Sequence, residues 1–235
     1  MEKKINNFLF FMALFILYTF FSNIVIYFLK YFNIFDINSL SLHYKNLCLI
    51  IIDIILMIIT YLFYRKDCNN DIRSFIKNFF SFFKTAMGFW IFGLSLMIIS
   101  NLLINYFYPT SRALNEDAVQ NFLKTSPIYA SFASCIFAPF MEEMIFRKSL
   151  RNVFSIDILY IFVSGLLFGL VHNLGSIGTS NFIYIIPYGL FGSIFAYCYV
   201  KTKNIFVPIM IHCIHNTVLV IISLYQLGVI KWSLD

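Results

Sequence analysis

The stretch FLFFMALFILYTFFSNIVIYFL, residues 8–29, carries no charged side chain over 22 residues. As a helix rising 1.5 Å per residue it is roughly 33 Å long, enough to cross the ~30 Å hydrocarbon core of a bilayer. Backbone N–H and C=O groups in that core need partners within the protein, so the segment is a helix or part of a closed barrel. The alternating pattern of a barrel strand is absent, which leaves the helix. The run follows MEKKINN, exceeds the apolar region of a cleaved leader and has no A-x-A site behind it. It reads as a retained first span.

Six more apolar runs follow, and the chain predicts seven spans at roughly 8–29, 47–64, 86–107, 128–150, 156–174, 181–200 and 204–227. Composition agrees: 60% of residues are hydrophobic and 12% charged, against about a quarter charged in a soluble domain. The expected fold is all-α, a polytopic membrane helical bundle forming a single domain over 1–235. DIRSFIKNFFSFFK, 71–84, sets charges among aromatics at helical spacing and predicts an interfacial amphipathic helix. YPTSRALNEDAVQNFLKTSP, 108–127, reads as the longest polar loop. Pro187 and Pro208 are expected to kink their spans. The five cysteines show no CxxC spacing and read as small packing residues.

The net charge of +6 is a matter of loop placement. With the N-terminus in the cytoplasm, twelve of the 17 lysines and arginines fall inside; Lys30, Lys45, Arg112, Lys124 and Lys231 fall outside. That bias predicts an N-in, C-out arrangement. The basic residues form no dense stripe, so nucleic acid is not an expected partner. Richness in Phe, Ile, Asn, Lys and Tyr suggests an AT-rich genome and a bacterial plasma membrane.

Ionisable residues inside spans are costly and are functional candidates by default. They are Asp53, Glu142, Glu143, Arg147, His172, His212 and His215, with Asn216 beside the last. All but Asp53 lie in the C-terminal half. Counted from the turns near 154–157 and 201–203, Glu142, His172 and His212 fall at comparable depths, roughly 15–24 Å. Glu143 and Arg147 are i, i+4 and can pair along the helix; Glu142 points about 100° away, toward a cavity. His212 and Asn216 share a face, and Phe168 lies one turn from His172. Asp53 is expected to pair with a backbone or hydroxyl group, and His215 reads equally as structural or functional. Lys148 and Arg151 are expected to snorkel to the cytoplasmic interface. Gly165 with Gly169, and Gly192 with Ala196, have the spacing of close helix packing.

Three motifs now stand in order: EEMIFR at 142–147, FGLVH at 168–172 and HCIHN at 212–216. The pattern resembles the CPBP family of intramembrane peptidases, which includes the CAAX prenyl proteases, the bacterial Abi proteins and the lysostaphin-resistance-protein-A-like proteins. The resemblance covers about 125–225; residues 1–107 carry none of it. It implies an endopeptidase acting on a membrane-associated peptide or protein. Glu142 would activate water with His172 assisting, His212 and Asn216 would hold the oxyanion, and Glu143, Arg147 and Phe168 would support the site. The family has also been described as metalloproteases; Glu142, His172 and His212 would then hold zinc. HExxH spacing is absent and the two histidines come from separate spans, so no metal cofactor is the expectation, with zinc the alternative. The family often has Gly after the motif Arg, where this chain has Lys148. Prenylated substrates do not carry over to a bacterial host; bacteriocin self-immunity or peptide maturation are the roles the resemblance implies. The competing readings are a non-catalytic immunity or partner-binding protein on the same scaffold, and a transporter or proton pathway. The site is expected to open toward the cytoplasmic side. The oligomeric state is not legible.

Overall fold

A computed structural model describes residues 2–230; Met1 and residues 231–235, Lys231 among them, lie outside the described residues. The helices are α1 (Glu2–Tyr31), α2 (Leu42–Phe63), α3 (Arg65–Lys77), α4 (Phe79–Phe107), α5 (Leu114–Thr125), α6 (Pro127–Ser149), α7 (Asp157–His172), α8 (Ile185–Thr202) and α9 (Phe206–Gln226). No strand occurs among the described residues. The chain is a polytopic helical membrane bundle, with large apolar side chains such as Ile76, Leu102 and Phe162 turned outward.

Six helices are long and apolar enough to cross a membrane: α1, α2, α4, α6, α8 with the short turn from Ser180 ahead of it, and α9. The fifth expected span is shorter than the rest. α7 has 16 residues, roughly 24 Å, and stops at His172. The following LGSIGTS breaks the helix, with Gly178 at φ +81°, a conformation that favours glycine.

Two other expectations shift. The helix at 71–84 is divided at Asn78, whose side-chain amide donates to the Ser74 carbonyl at 3.0 Å and ends α3. The aromatic remainder starts α4. The polar loop 108–127 contains α5, which has Glu116 and Asp117 in its first turn and Lys124 in its last. Those charges suit the helix dipole; Leu123 packs with Ala130 and Val220. Pro187 and Pro208 are not kinks within their spans. Each is the third residue of α8 or α9, in the first turn, where a missing N–H leaves nothing unbonded.

α6 is not a regular helix. Ala133–Phe137 and Met144–Ser149 are wide π-type turns on either side of Ala138–Glu143. Pro139 cannot donate and crowds the carbonyl four residues back, and that residue, Cys135, lies in the first wide turn.

α7 and α8 pack through their glycines. A Cβ on Gly165 would lie 1.9 Å from Ser193 Oγ and 2.6 Å from the Gly189 carbonyl. One on Gly169 would lie 2.7 Å from the Ile185 carbonyl and 3.0 Å from Gly189 N. Backbone atoms cannot move aside as a side chain tip can. Gly169→Ala is therefore expected to destabilise the bundle by about 1–3 kcal/mol. Thermal unfolding of the detergent-solubilised protein measures it; an unchanged midpoint would contradict this packing.

α1 lays one stripe against the bundle. Phe11 and Leu14 are buried, Phe15 meets Phe146 edge-on at 6.2 Å, and Tyr18 and Ser22 continue the line at helical spacing. Ser22 donates to Asp53 on α2 at 3.1 Å, so the expected hydroxyl partner of Asp53 comes from the first span.

Candidate active site

α6 carries Glu142 and Glu143 on different faces between its two wide turns. Helix π-turns often occur at functional sites. Glu143 and Arg147 are both fully buried and pair at 2.9 Å, Oε2 to Nε. The Arg147 guanidinium also donates to Ser164 on α7 at 3.3 Å and lies 5.0 Å from the Phe168 ring centre. A charge this deep needs both the ion pair and the aromatic face. The other Glu143 oxygen accepts from Nδ1 of His212 on α9 at 2.9 Å. Glu143 therefore joins Arg147 to His212, more than the pairing with Arg147 expected from spacing.

His172 stands at the end of α7 with its ring between two others. Phe168 stacks on it at 4.3 Å and Tyr188 of α8 at 5.1 Å. Its Nδ1 lies 2.9 Å from the Phe168 carbonyl. A carbonyl only accepts, so Nδ1 carries the proton and Nε2 of the neutral ring is a bare acceptor. Carboxylate geometry fixes His212 the same way, with Nδ1–H toward Glu143 and Nε2 facing elsewhere.

Both Nε2 atoms face Glu142. They lie 3.8 Å (His172) and 3.9 Å (His212) from its Oε2. That oxygen is buried and has no hydrogen-bond partner among the described residues. The other, Oε1, accepts from the Tyr18 hydroxyl at 3.0 Å. Three helices, α6, α7 and α9, thus bring one carboxylate oxygen and two imidazole nitrogens together.

The remaining candidates sit at the margin. Asn216, one turn beyond His212, donates to the Ser134 carbonyl in the first wide turn at 2.7 Å, not to the Glu142 cluster. His215 accepts from the Trp90 indole at 3.3 Å and packs on Phe191 at 4.4 Å; it links α9 to α4 and α8. Lys148 pairs with Asp67 and Asp71, at 3.2 and 3.7 Å, and Arg151 pairs with Asp157 across the α6–α7 turn. Both basic residues therefore bind neighbouring elements. α5 reaches the site through Asn115, which donates to the Tyr188 hydroxyl at 3.4 Å. Next to it, burial and then the neighbouring Asp117 push the Glu116 carboxyl above its usual range. Tyr18, Ser164 and Tyr188 were not among the expected site residues. Each is a hydroxyl in an apolar run, and among 15 tyrosines nothing in the spacing marks those two.

Fold and site define a polytopic helical membrane protein with a titratable cluster at its centre. Residues 124–218 match the model of a family described as type II CAAX prenyl endopeptidase Rce1-like. The chain is 30% identical over 154 residues to the membrane-embedded CAAX protease MroQ of Staphylococcus aureus (strain USA300), covering 62% of this chain and 59% of that one. It is 31% identical over 113 residues to YdiL of Bacillus subtilis (strain 168), whose name assigns it provisionally to the membrane peptidases. That match covers 47% of this chain and 43% of YdiL, so the chain spans about half the length of these relatives. No solved structure matches.

Proposed function

We propose that the chain is an intramembrane endopeptidase that hydrolyses a peptide bond of a membrane-associated peptide or protein. The observation that carries this is the convergence of Glu142 Oε2 with the two Nε2 atoms. Gaps of 3.8–3.9 Å are too long for direct hydrogen bonds, yet a water about 2.8 Å from both ends fits the gap between Glu142 and His172. In the proposed step Glu142 takes a proton from that water, with the bare Nε2 of His172 orienting it. The water oxygen bonds to the peptide carbon, and the carbonyl electron pair moves onto oxygen. His212, its Nδ1–H given to Glu143, donates to that oxyanion from Nε2 when that nitrogen also carries a proton. The Asn216 amide has a second N–H beyond the one given to Ser134 and can also donate. Glu142 then returns its proton to the leaving nitrogen as the C–N bond breaks.

No metal takes part in the proposed step. Zinc on Glu142, His172 and His212 is the alternative. The lysine and arginine bias supports a cytoplasmic N-terminus and a site opening toward that side. The proposed setting, bacteriocin self-immunity or peptide maturation, rests on the resemblance alone.

The test uses purified protein in liposomes with fluorescence-quenched peptides carrying an acyl anchor, alongside its metal content. Cleavage that survives chelation supports the glutamate mechanism. Cleavage lost to chelator and restored by zinc replaces it with the metal one. Absence of cleavage by folded protein across the peptide set would overturn the peptidase reading and favour a partner-binding protein.

A further inference from the structure

Glu142 is held from outside the family-matched region. The only protein hydrogen bond on its carboxylate among the described residues comes from Tyr18 of α1, over a hundred residues before the matched segment begins at 124. The terminal torsion of a glutamate is broad and roughly two-fold. Unheld, the carboxylate would turn either oxygen, or neither, toward His172 and His212. Tyr18 fixes Oε1, and Oε2 is thereby left facing the two imidazoles.

α1 is in turn placed to do this. Phe11 and Leu14 anchor its buried stripe. The Tyr18 ring packs on Phe137 of α6, centres 5.7 Å apart. One turn further, Ser22 donates to the buried Asp53 of α2 at 3.1 Å. The two polar bonds at i and i+4 set both the rotation and the depth of α1 against α6 and α2. A plain lipid-facing span would need neither.

We infer that Tyr18 is a positioning residue for Glu142, and that the first span, which lies outside the matched segment, is part of the catalytic apparatus. This rests on the peptidase reading above. Tyr18→Phe removes the hydroxyl and keeps the ring on Phe137, so the fold is retained. In liposomes, with the best-cleaved peptide of the acyl-anchored set, kcat is expected to fall about 10- to 100-fold while KM stays within about twofold. Such a split marks an interaction that acts in the transition state. A second readout does not need turnover. The carboxyl infrared band lost in Glu142→Gln identifies Glu142, and in Tyr18→Phe that band is expected to shift. An unchanged kcat, or an unmoved band, would overturn the inference. If wild-type protein cleaves nothing, the peptidase reading fails, and the band still decides whether the hydroxyl holds the carboxylate.

Discussion

Glu142→Gln is expected to lower peptide cleavage by roughly 10²–10⁴-fold, the usual contribution of a general base, without unfolding the protein. Glutamine is the same size, and its amide oxygen can still accept from Tyr18, as Glu142 Oε1 does at 3.0 Å. What changes is the atom facing His172 and His212. Oε2 becomes an NH₂ group, which donates and cannot take a proton from water. It can even donate to the bare Nε2 of His172. Fold and substrate affinity are therefore expected to persist while the chemistry stops. Single-turnover cleavage in liposomes, with thermal unfolding as control, measures both. Retained cleavage in Glu142→Gln would remove this residue from the mechanism.

Arg147→Met is expected to cost about 3–5 kcal/mol of stability. The Glu143–Arg147 pair is fully buried, and deleting the cation leaves a carboxylate deep in the bundle with only His212 beside it. The loss is due mainly to the stranded charge, not to the broken bond. Neutralising the partner should then recover much of it: Glu143→Gln combined with Arg147→Met is expected to be more stable than Arg147→Met alone. Denaturation midpoints of the three variants in one detergent test this. A double variant no better than the single would show that Arg147 matters through its packing on Phe168 instead. Activity is not expected to return in the double variant, because His212 loses its carboxylate.

Much of this site could be read in the sequence because its ionisable residues stand out in apolar runs. Glu142, His172 and His212 were placed at comparable depth from helix rise alone, and they meet. The i, i+4 spacing of Glu143 and Arg147 gave their pairing. Helical periodicity could not give the link from Glu143 to His212, since their separation across two spans depends on how α6 and α9 dock. Nor could it give Tyr18, whose hydroxyl is one of many in aromatic spans. Asn216 sat on the expected face, but its contact with Ser134 depends on the wide turn at Ala133–Phe137, of which Pro139 is the one sign in the sequence. The misplaced boundaries have local causes. Asn78 splits one expected helix, and the charges of α5 hide a helix inside what reads as a loop.

The two wide turns of α6 bear on how this span can change over time. Each added residue turns a helix by about 100°. A wide turn before the glutamate pair and another after it mean that the faces of Glu142, Glu143 and Arg147 depend on residue count as well as residue type. Apolar side chains along α6 can be exchanged with modest loss, while a one-residue deletion within 133–137 would swing both carboxylates off their partners. Variation among relatives in this segment is accordingly expected in composition and not in length.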